Sequence, residues 1–230
     1  MDPIIEGILG TVTLWGISAT LAIALALGLA AGVTRATGVT RLLIRAAIDL
    51  TRGVPTSILV LAAGFASLYV SPTSDLPLLF PGTAPAFQHL AWSVSLALAL
   101  GSSGHLAEIF LAARSSISHI RIEQMFALGL TPLRRIALVM RECAAVALPP
   151  TGSRLVHHLH NTAYAALFPV CDLFGVLQGE VNATFKVFQL AFLGCGVYVA
   201  LSGLIWLLVR LGEAWLRPPQ AQASPQEVSP

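Results

Sequence analysis

Ile122-Glu123-Gln124-Met125-Phe126-Ala127-Leu128-Gly129-Leu130-Thr131 lies inside an arginine-bearing stretch, 114–141, that is the longest polar interruption between the first and last apolar runs of the chain. Outward from it the sequence is apolar on both sides. Of 230 residues 56% are hydrophobic and only 10% charged, and the mean hydropathy is +0.79. A soluble domain is near a quarter charged, so this composition suits a bilayer. Runs of about 20 apolar residues cross about 30 Å of hydrocarbon as helices. Five are expected, at residues 8–33, 53–71, 87–113, 143–170 and 187–210. None alternates as a barrel strand does, so the fold class is an all-α polytopic membrane protein with five transmembrane helices.

The distribution of charge gives an orientation. Arg35, Arg41, Arg45 and Arg52 follow the first run, five arginines from Arg114 to Arg141 follow the third, and Arg210 and Arg217 follow the fifth. The opposite side carries only Lys186. By the positive-inside rule the N-terminus is expected outside and the C-terminus in the cytoplasm. Met1-Asp2-Pro3 begins with an acid and the first run is long, which argues against a cleavable signal peptide. Cys143, Cys171 and Cys195 are unclustered and read as packing residues.

Several local signals divide the chain. Gly28 and Gly32 have a GxxxG spacing, either a close helix contact or incidental. An amphipathic helix is expected over 41–50. Gly53 and Pro55 should break or start a helix at the membrane face. Residues 71–86 carry four prolines and read as a short external cap, Pro149-Pro150 should kink or interrupt the fourth span, and Trp206 and Trp215 are placed as interfacial anchors. The tail 218–230 reads as disordered. The only lysine has no Gly-rich turn before it, so this chain has no P-loop with which to hydrolyse ATP. No catalytic residue, bound cofactor or nucleic-acid partner is expected.

The quoted stretch itself reads as a helix over 114–130 that stops at Gly129, followed by Thr131 as N-cap and Pro132 at the first position of the next helix. Such a unit is either a knob that docks into a partner or a plain linker. Ala107-Glu108-Ile109-Phe110, followed without a gap by Glu123, Leu128-Gly129-Leu130 and Thr131, resembles the EAA loop of ABC importer permeases, and more narrowly that of the polar amino acid permeases of the histidine, glutamine, arginine and opine type. Arg52-Gly53-Val54-Pro55 and Ala147-Leu148-Pro149-Pro150-Thr151-Gly152 extend the resemblance over nearly the whole chain.

The resemblance implies that residues 114–131 are a cytoplasmic coupling helix between spans three and four. Glu123, Ala127, Leu128, Gly129 and Thr131 would seat it in an ABC ATPase dimer, where ATP and Mg would act. It further implies a second permease subunit, identical or homologous, an external solute-binding protein, and residence in a bacterial cytoplasmic (inner) membrane. The loop departs from the family pattern at Leu111, at 118–121 and at Gln124-Met125, and the later signature around Met140–Cys143 needs a one-residue gap.

In the fourth span Arg154, His157, His158 and Asn161 fall on one helical stripe, joined by Thr162. Polar groups there should face a cavity or another helix. One reading has Arg154 pairing with a carboxylate of an anionic or zwitterionic solute, with Asn161 and Thr162 adding hydrogen bonds. The other has Arg154 paired with Glu142 or Asp172, holding helices together. His157 and His160 could instead ligate a transported metal, although no metal site is assigned. A remote alternative takes Gly101-Ser102-Ser103-Gly104 and His157…Asn161 as resembling the GxSG and HxxxN motifs of rhomboid proteases, in reversed order.

Overall fold

The computed structural model describes residues 2–69 and 77–216. Part of the expected external cap, Arg217 and the expected disordered tail lie outside them. All regular structure among the described residues is helical.

Helix α1, Pro3–Arg35, opens with Pro3 at its first position and the Asp2 carboxylate accepting the Ile4 amide at 2.9 Å. Helix α2, Gly38–Gly53, is the expected amphipathic segment. Val54 is extended because Pro55 follows it, and α3, Thr56–Leu68, leaves at 96° to α2. A short 3₁₀ turn, Pro85–Phe87, leads into α4, Gln88–Ser115. Then come α5, His119–Ala127, and α6, Pro132–Asn161, which passes into a 3₁₀ helix, Thr162–Leu167. Helices α7, Leu173–Thr184, and α8, Val187–Leu216, complete the chain.

Three segments are long and apolar enough to cross a membrane: α1, α4 with its 3₁₀ turn, and α8; the bent pair α2–α3 makes up to four. The second expected span meets that test only as the bent pair, and the fourth does not meet it. Helix α3 has 13 residues, about 20 Å of rise. Helix α6 carries Arg134, Arg135, Arg141 and Glu142 in its first half, and its α-helix ends at Asn161, well before residue 170. Phe168 precedes Pro169 and is extended, which ends the helical run. Pro149 and Pro150 lie inside α6 without interrupting it. Each removes one ladder hydrogen bond, and the remaining turns carry the helix through.

The core lies on both sides of α4. Leu14, Val60, Leu90, Val94, Leu98 and Phe168 bury one cluster, and Ala22, Ala26, Val33, Ile48, Leu106 and Ala107 a second. Small residues set the approach. A methyl on Gly101 or Gly104 of α4 would meet Thr56, or Thr51 and the Ile48 carbonyl, so the α2–α3 elbow seats directly on α4. Helix α8 packs mainly on α6 and α7 and leaves Val199, Trp206, Leu208 and Trp215 exposed.

Candidate functional site

Arg154 is half-buried on α6 and reaches across to α4. Its Nη2 donates to the Gly101 carbonyl at 2.8 Å and to Ser102 Oγ at 3.3 Å, and its Nη1 lies 3.4 Å from His157 Nδ1. Its buried Nε has no partner. Glu142 is engaged by Arg121 and Asp172 caps α7, so neither pairs with Arg154. No carboxylate stands within ion-pair distance of Arg154 among the described residues.

The single stripe read from the sequence divides into three. Arg154, His157 and Asn161 stay together, with Asn161 Nδ2 at 3.3 Å from His157 Nδ1. Both neighbours of that nitrogen are donors, so it accepts and the proton sits on Nε2. His158 turns inward and is fully buried. Its Nδ1 meets Ser102 Oγ at 2.7 Å and its Nε2 meets Ser18 Oγ at 2.8 Å. One assignment satisfies every donor: Arg154 to Ser102, Ser102 to His158, His158 to Ser18, and Ser18 to the Leu14 carbonyl at 2.6 Å. His158 is thus a neutral strut joining α1, α4 and α6. Thr162 is buried and donates to the Leu159 carbonyl at 2.7 Å, closing the end of α6.

His160 faces the other way, 3.2 Å from Ser202 Oγ on α8. The three neighbouring histidines point in three directions, and no group of three metal-ligating side chains occurs among the described residues. Ser103 donates to the Leu100 carbonyl and does not meet His157. A serine–histidine dyad of the rhomboid kind is therefore not assembled at Ser103.

Sequence reasoning missed Gly101, Ser102 and Ser18 as partners of this stripe. It also missed His105, one turn beyond Gly101, which lies within electrostatic range of Arg154, Arg52 and His157. The available signal was polar residues inside apolar runs of α1 and α4, which periodicity alone does not pair with another helix.

No protein-family model matches the chain. Over 124 residues it is 28% identical to the histidine/lysine/arginine/ornithine transport system permease protein HisM of Salmonella typhimurium, covering 53% of each. It is 25% identical over 121 residues to the arginine ABC transporter permease protein ArtM of Haemophilus influenzae, 52% of this chain and 53% of that one. The chain spans about half the length of the curated relatives it matches. In structure it superposes on a crystal structure of an amino acid ABC transporter with histidines at a TM-score of 0.74, 19% identical, over 93% of this chain and 94% of that one. Over about half its length this chain is similar to amino acid ABC transporter permeases, and its fold is that of the amino acid ABC transporter structure. The inward-facing MetNI methionine ABC transporter gives 0.70 at 15% identity, over 95% of this chain and all of that one.

At the far end of the permease fold from the α7 cap is the α5 turn. Helix α4 stops at Ser115, where Ser115 and Ser116 donate to the Ala112 and Ala113 carbonyls, and α5 begins only at His119. The helix expected over 114–130 is thus two helices, with Ser118 Oγ accepting the Arg121 amide at 3.3 Å as the new N-cap. Gly129 has φ +64°. The Leu130 amide donates to the Met125 carbonyl and the Gly129 amide to that of Phe126, a Schellman ending. Thr131 is the N-cap residue of α6 by backbone, with Pro132 first in the helix, but its side chain makes no capping bond. Glu123, Ala127, Leu128, Gly129 and Thr131 are all exposed, as is Phe126, while Met125 is buried against the body. Arg121 donates twice to Glu142 Oε1, at 3.1 and 2.9 Å, tying α5 to α6.

Proposed function

We propose that this chain is a permease subunit of an ATP-driven ABC importer that moves a polar amino acid, or a related zwitterionic or anionic solute, into the cytoplasm by alternating access. It is a transport subunit and not an enzyme. ATP and Mg act at a separate ATPase dimer, a second permease subunit completes the path, and an external solute-binding protein delivers the solute. The setting is a bacterial cytoplasmic membrane.

Five crossings are assigned to α1, α3, α4, α6 and α8, with the N-terminus outside. The length of α6 supports its crossing. The charged first turns of α6, residues 132–142, project from the bilayer, and residues 143–161 then rise about 28 Å, close to the hydrocarbon thickness. The arginine-rich α2 lies along the cytoplasmic face, and α5 with its Gly129 turn is the coupling helix. The exposed Phe126, Leu128 and Leu133 give that knob an apolar tip for the ATPase cleft.

The observation that carries the reading is Arg154. A guanidinium inside the membrane is costly unless an anion neutralises it, and here it meets only a carbonyl, a hydroxyl and an imidazole. A solute carboxylate would supply the missing charge, with Asn161 and Ser102 beside it and the His157 Nε2–H free to donate. The test is solute uptake in vesicles containing the assembled transporter. Arg154→Gln is expected to raise the concentration for half-maximal uptake at least tenfold while assembly and basal ATP hydrolysis persist. Uptake unchanged in that variant would refute the role.

A further inference from the structure

A second polar site lies at the α5 end of the bundle, away from Arg154. A cavity of about 550 Å³ opens between α1, α2, α4 and the α5 turn, lined by Arg41, Arg45, Arg114, Glu108, Thr34 and Ser115 among others. Its size falls within the range of small-ligand sites. Arg45 is neutralised by Glu108 at 2.9 Å. Arg41 and Arg114 have no ion-pair partner among the described residues. The cavity therefore holds two uncompensated guanidinium groups, a donor set that suits a phosphate, while the Thr34 and Ser115 hydroxyls donate to the Ala31 and Ala112 carbonyls.

This cavity does not end in polar walls. It shares Thr34, Leu111, Arg114 and Val139 with a second space of about 320 Å³. That groove runs along α1, α4 and α6 from Arg114 towards Leu27 and Ala147, past Phe110, Ala31 and Ala144. Seven residues of α1 separate Thr34 from Leu27, about 10 Å of helix rise. A basic pocket thus continues into an apolar slot that runs about 10 Å along the bundle. The neighbouring α2 exposes Val39, Leu42, Leu43 and Leu50, a face that belongs in a bilayer interface.

We propose that this pair of spaces is a binding site for an anionic phospholipid, with the phosphate held by Arg41 and Arg114 and one acyl chain lying in the groove. A soluble phosphate would use the pocket but has no use for the groove. A lipid uses both, and a zwitterionic headgroup brings its own cation into a pocket that is already positive.

The test uses the full chain, with whatever subunits purify with it, in neutral detergent. Thermal unfolding is followed while phosphatidylglycerol, phosphatidylcholine, glycerol 3-phosphate or inorganic phosphate is added, and native mass spectrometry counts retained lipid. Phosphatidylglycerol is expected to raise the unfolding midpoint and to remain as a single adduct, and phosphatidylcholine to do neither. Arg114→Gln or Arg41→Gln should each weaken the phosphatidylglycerol response about fivefold, the worth of one arginine near an anionic lipid surface. Ala144→Phe, which fills the groove, should weaken the lipid response and leave any glycerol 3-phosphate response unchanged. Equal responses to the two lipids, or arginine variants that respond as the parent does, would overturn the proposal. So would a full response to inorganic phosphate with Ala144→Phe silent, which would make this a soluble-anion site.

Discussion

His157 and His158 are neighbours in sequence with opposite fates. One residue is 100° of helix rotation, which is enough to put His157 beside Arg154 at an exposed edge and His158 between Ser18 and Ser102 in the interior. Asp172 shows a similar effect of placement, in the link before α7 and outside the apolar spans. Its carboxylate accepts the Phe174 and Gly175 amides at 3.0 and 3.3 Å. Burial nevertheless pushes the carboxyl up from the ordinary 3.8 to about 7, against the pull of those two donors. A carboxyl raised on folding contributes stability that is whole below about pH 4 and lost as pH rises through about 7. The thermal midpoint of the detergent-solubilised protein should therefore fall across that window. Asp172→Asn keeps a capping oxygen and should flatten the profile. A midpoint that fell as steeply in the variant would mean that other groups set it.

At the scale of elements, the α5 turn depends on backbone conformation more than on space. Nothing lies within 4 Å of a side chain added at Gly129, yet its φ of +64° disfavours any other residue. Gly129→Ala should cost about 1 kcal/mol locally and leave the turn intact. Gly129→Pro cannot adopt this φ and removes the amide that donates to Phe126. In the assembled transporter the proline variant should insert and still hydrolyse ATP, but lose solute-dependent stimulation and uptake. The alanine variant should keep most of both. Identical behaviour of the two would show that the Schellman ending has no part in coupling.

At the scale of the molecule, the first turns of α1 are tied to the segment that leads into α7. The Leu173 amide donates to Thr11 Oγ at 2.8 Å, and Gly10 lies so close to the Cys171 carbonyl that a methyl there would collide with it. A backbone carbonyl cannot swing aside as a side chain can. Gly10→Ala is expected to destabilise by about 1–3 kcal/mol through overpacking. Gly28, half of the GxxxG spacing, faces open space, and Gly28→Ala should leave the isolated chain within about 0.5 kcal/mol of the parent. Paired melting curves of the two variants would check the contrast. Of that spacing, only Gly32 makes an internal contact, against Ile44 of α2.

The sequence alone determined the features that depend on local chemistry. Composition implied a bilayer, the pre-proline residue Val54 and Pro55 the elbow between α2 and α3, and Gly129 with Thr131-Pro132 the turn between α5 and α6. It also led to the relatives through the motifs around Glu108, Glu123 and Gly129. Of the kink or interruption expected at Pro149-Pro150, the interruption does not occur, because each proline removes one hydrogen bond while the rest of the helix persists. The change from α-helix to 3₁₀ helix at Asn161 has no signal in the sequence. The tertiary structure decided which polar side chains form a site. A helical wheel gives the direction of Arg154 or His158 about its own axis, but not which helix stands there. That depended on how closely α4 could approach α1 and α6, and its small residues Gly101, Ser102 and Gly104 let it come near enough for Ser102 to bond both Arg154 and His158.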